Sequence, residues 1–86
     1  MKIVKLNRRF RQFKEQGHVV ALKFPNGYDA RIREIEKTCR EKIGSGWYRE
    51  HDWYSYYGKS KNGMARDYWI TFRRESDLTL VLLCVG

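Results

Sequence analysis

The stretch Tyr68-Trp69-Ile70-Thr71-Phe72-Arg73 decides the fold. Its alternation puts Tyr68, Ile70 and Phe72 on one side of a strand and Trp69, Thr71 and Arg73 on the other. A polar turn, Glu75-Ser76-Asp77, follows, and then Leu78-Thr79-Leu80-Val81-Leu82-Leu83-Cys84-Val85. This last run is apolar almost throughout, short and partly β-branched, which reads as a buried strand over 78–85. A short helix capped by Ser76 or Asp77 is the alternative. Either way the segment is buried.

Upstream, Trp47, Tyr48, Trp53, Tyr54, Tyr56 and Tyr57 form the densest aromatic stretch. Aromatics without helical spacing favour a strand over 47–57, with a bulge near Glu50-His51-Asp52. The polar segment 58–67 is a loop with Asn62-Gly63 as its turn signal and a basic tip suited to contacting a partner. His18-Val19-Val20-Ala21-Leu22-Lys23-Phe24 is another β-branched strand, ended by Pro25-Asn26-Gly27.

Between these strands, Ile32, Ile35, Cys39 and Ile43 recur at helical spacing and predict a helix over 28–43. Asn26 or Asp29 caps it, and Gly44 and Gly46 end it. Near the start, Ile3, Leu6, Phe10 and Phe13 make one apolar stripe, which predicts a helix over 6–16 stopped by Gly17. In the alternative, Asn7 caps a shorter helix and residues 2–6 form a brief strand. The expected fold is α+β and a single domain over 1–86. Its small antiparallel sheet has strands near 18–24, 47–57, 68–74 and 78–85, with both helices on one face. The other face is left open as an aromatic platform carrying Trp69 and Tyr54, or is covered by a second copy in a homodimer. Trp47, Tyr68 and Phe72 are expected in the core.

The chain has 86 residues, enough for one core. Lys plus Arg number 18 against 10 Asp plus Glu, for a net charge of +8 and a pI near 9.8. Residues 1–24 hold seven bases against the single acid Glu15. Such concentration is an electrostatic footprint for a polyanion. An aromatic content of 15% excludes a disordered basic tail. No apolar run is long enough to cross a bilayer, and the opening residues lack a leader's apolar region, so no membrane is expected and a cytoplasmic protein is. Cys39 and Cys84 fit neither a CxxC pair nor a zinc framework and are read as buried reduced thiols, with a disulfide between them as the alternative.

Reaction chemistry is not spelled out. His18 and His51 lack metal-site spacing, and no phosphate-binding glycine loop or nucleophile motif occurs. Glu50-His51-Asp52 is the one acid–base cluster, and an extended strand would aim its members to opposite sides. The expectation is a non-enzymatic protein without metal or cofactor. Basic residues among aromatics suit RNA or single-stranded nucleic acid. Arg8, Arg9, Arg11 and Lys14 would hold phosphates, Lys59 and Lys61 would add outlying contacts, and Trp69 would stack a base.

Tyr68-Trp69-Ile70-Thr71-Phe72 with Glu75-Ser76-Asp77 resembles the third strand and following turn of an RNA-recognition motif. The resemblance implies that Trp69 is an exposed stacking aromatic, and 18–24, 28–43 and 47–57 fall in the matching order. Arg66 and Asp67 stand where that motif has glycine and an aromatic, and no fourth strand follows if 78–85 is helical. The segments 68–74 and 78–85 also resemble the closing strands of RelE-type mRNA interferases, which implies RNA cleavage with Arg66 and Arg73 as loose counterparts of basic sheet residues. The strand at 18–24 interrupts that family's helix pair. Size, charge and lack of reaction motifs are similar to bacteriophage accessory proteins, which implies an inhibitor that blocks a host protein.

Overall fold

The computed structural model describes residues 1–27, 29–44, 52–58 and 66–85. Strands β1 (Lys2–Lys5), β2 (Val20–Phe24), β3 (Trp53–Tyr57) and β4 (Tyr68–Phe72) form one antiparallel sheet in the order β1-β2-β4-β3. The helices are α1 (Arg11–Gln16), α2 (Ile32–Lys42) and α3 (Glu75–Val85). This is a small α+β fold. The unit β2-α2-β3 is split, because β4 lies between its two strands.

Register sorts the sheet into two faces. Val20, Leu22 and Phe24 oppose Phe72, Ile70 and Tyr68 across β2 and β4. Trp53 opposes Phe72 from β3. These side chains pack with Ile35 and Cys39 of α2 and Leu78 and Val81 of α3 into the core. Each large apolar side chain fully buried there contributes about 1.5–3 kcal/mol. On the reverse face, Lys2, Lys23, Trp69 and Tyr56 stand opposite one another in a row across the four strands. Val4, Ala21, Thr71 and Tyr54 form the next row.

Several local signals act as read. Gly17 takes φ 69° and stops α1, donating its N–H to the Phe13 carbonyl at 3.2 Å. The reading of Asn26 or Asp29 as the cap of α2 is corrected: Arg31 holds the cap position with no side-chain cap bond, while Asp29 Oδ1 accepts the Arg31 N–H at 2.9 Å and the Asp29 carbonyl accepts the Ile32 N–H. Gly44, at φ 133°, follows α2, and its carbonyl accepts the Trp53 indole N–H at 2.6 Å. Phe72 is core and Tyr68 is half-buried against it. Trp47, Glu50, His51, Asn62-Gly63 and Gly46 lie outside the described residues.

Four further expectations are corrected. Residues 78–85 belong to α3 and not to a strand, as the helical alternative had it. Leu78 and Val81 are buried three apart, and Leu82 and Val85 join the core, so one helical stripe hides inside a run apolar on every side. Glu75 and Asp77 lie in its first turn, where negative charge suits the helix dipole. Residues 2–5 form the outer strand, as the alternative of a brief strand had it, although Phe10 and not Asn7 precedes the shorter helix; Ile3 is 59% exposed. The apparent stripe from Ile3 to Phe13 is broken because pairing along the edge of β2 outweighs local helix preference. The first helix is correspondingly short, at 11–16. It also lies on the reverse face, beside Trp69, rather than with α2. Finally, Cys39 is buried, but Cys84 is exposed; both are free thiols.

Candidate functional site

The reverse face of the sheet carries a groove of about 800 Å³ between the start of α1 and the ends of β3 and β4. Trp69 is at its floor. The Tyr56 ring lies within 8° of parallel to the Trp69 indole, with centroids 6.4 Å apart. Tyr54 stacks on Tyr56 in turn, at 5.9 Å and 23°. This ladder arises because Tyr54 and Tyr56 are two apart on one strand, and Tyr56 is the register partner of Trp69. Phe10 meets the indole edge-on, at 5.6 Å. Such contacts contribute about 0.5–1.5 kcal/mol each beyond buried area.

Charge surrounds this aromatic floor. The Lys23 ammonium stands 5.5 Å from the Trp69 ring centroid and 3.4 Å from the Asp67 carboxylate. Asp67 Oδ1 also accepts the Asn26 N–H at 3.1 Å. Arg9 and Arg11 line the groove from the α1 side. Arg11 is bonded to Glu15 at 2.9 Å, one helical turn away. Arg9 makes no ion pair among the described residues. Its backbone N–H is held by the Asn7 side chain at 2.9 Å, in a turn that delivers Phe10 to the indole.

Two glycines permit the close approaches. A Cβ on Gly58 would lie 2.8 Å from Trp69 Nε1, so the indole can lie against this backbone only without a side chain. Gly27, at φ 68°, would bring a Cβ within 2.6 Å of the Arg66 carbonyl. His18 Nδ1 and Thr71 Oγ1 are 2.7 Å apart and both residues are fully buried. Burial pushes the Tyr56 phenol up to about 12, with the neighbouring Tyr54 adding to it. The Tyr56 phenol is therefore a neutral hydrogen-bonding group.

The sequence-predicted residues divide. Arg9, Arg11 and Trp69 come together in the groove. Arg8 and Lys14 are exposed nearby but do not line it. Arg66 is exposed before β4. Arg73 lies just beyond the other end of that strand, 3.4 Å from Asp52. At about 3.3 Å per residue the two arginines are roughly 20 Å apart, so they do not form one centre. Lys59 and Lys61 lie outside the described residues. With 78–85 helical, the pair of closing strands behind the interferase resemblance is not formed.

Phe10, Lys23, Tyr56, Gly58 and Asp67 were missed as site residues. Lys23 carried a signal, since it is the one charge inside an otherwise apolar strand. Phe10 carried none, because its spacing suggested core. Among the described residues no cluster of three or more His, Cys, Asp or Glu could hold a metal ion, and no helix is long and apolar enough to cross a membrane. No family model, curated protein or solved structure matches this chain.

Proposed function

We propose that this protein is a non-enzymatic binding module for RNA or other single-stranded nucleic acid, using the Trp69 groove. The observation that carries this reading is the parallel Tyr56–Trp69 pair bordered by Lys23, Arg9 and Arg11. Bases stack on aromatic faces at about 1–3 kcal/mol each, and cations track the phosphates between them. In RNA-recognition motifs the sheet likewise presents stacking aromatics to RNA. Here the elements from β2 to α3 follow that motif's order, while the N-terminal β1 supplies the outer strand beside β2.

Fluorescence anisotropy of a labelled single-stranded RNA tests this. Affinity is expected to fall steeply with added salt, as counterion release requires, and Trp69→Ala is expected to weaken binding at every salt concentration. Salt-insensitive binding, or none to any oligonucleotide, contradicts the proposal.

A second reading has one observation of its own. The outer side of α3 exposes Leu80 at 40% and Leu83 at 77%, apolar surface suited to a host-protein partner. Retention of one specific bacterial protein after nuclease treatment, lost on Leu83→Lys, favours this inhibitor reading; retention of none sinks it.

A further inference from the structure

We infer that the groove is a site for one unpaired nucleotide, with its base against Trp69 and its phosphate on Arg9. The inference rests on the nucleic-acid reading above and narrows it to a ligand unit and an orientation. Size is the first ground. A volume of about 800 Å³ falls within the roughly 300–1,000 Å³ of pockets that take a single small molecule. The aromatic lining is Phe10, Tyr56, Tyr57 and Trp69, and Tyr54, which extends the ladder, does not line the groove.

The second ground is the division of charge. Three cations border the groove, and two have partners: Lys23 faces Asp67 at 3.4 Å, and Arg11 is bonded to Glu15 at 2.9 Å. Arg9 is the groove cation with no ion pair among the described residues. Its guanidinium offers forked donors that match phosphate oxygens. The third ground is placement. Asn7 holds the Arg9 backbone, and the next residue, Phe10, touches the indole edge. The anion-binding group and the second aromatic wall are therefore adjacent in the chain, and both line the groove with Trp69.

The test compares uridine with uridine monophosphate, each titrated into the full chain and each used to displace a labelled oligouridine. The monophosphate is expected to bind at least about tenfold tighter than the nucleoside, in line with charge-assisted hydrogen bonds to phosphate, and to displace the oligomer. Arg9→Ala is expected to abolish the difference between nucleoside and nucleotide. Arg33→Ala, an exposed cation of α2, is expected to retain it. Equal binding of nucleoside and nucleotide by the unaltered protein, or a difference that survives Arg9→Ala, overturns the inference. An oligomer that binds but is not displaced by the monophosphate overturns the one-nucleotide site and leaves the nucleic-acid reading standing. Failure of the oligomer and both small ligands to bind overturns both.

Discussion

Tyr56 and Trp69, register partners across β3 and β4, hold their rings within 8° of parallel on the sheet face turned away from α2 and α3. Antiparallel pairing thus brings Tyr56 and Trp69 together in a groove that Arg9 and Arg11 also line. Substituting Trp69 with Ala is expected to cost about tenfold or more in affinity for single-stranded RNA, while Trp69→Phe keeps most of it. Anisotropy titration of both variants, with circular dichroism to confirm folding, checks this.

Gly58→Ala should act on the same ring at its Nε1 edge. The added methyl would sit 2.8 Å from Trp69 Nε1, so the indole must shift. Loss of RNA affinity with a stability change of about 1–3 kcal/mol is expected, as for other overpacked sites. Denaturant melts and binding curves measured together separate the two effects.

The alkaline limb of stability is set partly by half-buried phenols. Burial raises Tyr56 from 10 to about 12, with Tyr54 adding to it. Tyr68 is likewise raised to about 12, by burial first and also by Glu36 beside it. Groups raised on folding contribute stability that is fully present below their unfolded value of 10 and is lost as pH rises through about 12. Titrating phenolate absorbance should show tyrosines ionising late, and melts should weaken between those two pH values.

Asp29 gives the opposite limb. Its hydrogen bonds from Arg31, side chain first and then backbone, hold its carboxyl near 2. A carboxyl lowered on folding contributes stability above its unfolded value of 3.8, which is lost as pH falls toward about 2. Asp29→Ala should lower stability near neutral pH through the lost hydrogen bonds to Arg31, and flatten the acid limb of the melting curve.

The identity of α3 can be read from substitution pattern. Val81→Ala should cost about 2 kcal/mol because it opens a fully buried site, while Leu83→Lys, on a side chain 77% exposed, should change stability by about 0.5 kcal/mol or less. Similar costs at both positions in denaturant titrations would contradict the helical stripe.

Strand alternation in 68–72 was legible from sequence, because each side chain's face follows from its parity once one face is apolar. Ile32, Ile35 and Cys39 were legible as a helix for the corresponding reason at the longer period. Leu78 to Val85 was not, since a run apolar on every side carries no period; only packing against α2 and the sheet selects Leu78 and Val81 for the core. Ile3 misled because its spacing to Leu6 and Phe10 fits a helix, whereas the edge of β2 recruits it as a strand. Trp69, Arg9 and Arg11 were legible as site residues from type and charge. Lys23 and Tyr56 join them through strand register, which links positions far apart in the chain.

Binding of single-stranded nucleic acid in the Trp69 groove has a direct spectroscopic test. Titrating a short single-stranded RNA into isotopically labelled protein, with the Trp69 indole N–H resonance assigned through Trp69→Phe, tests it most directly. The account predicts that this resonance and the backbone amides of Arg9, Phe10, Lys23 and Tyr56 shift together and saturably. Saturable shifts confined to α2 and α3, with the Trp69 indole unmoved, would contradict it.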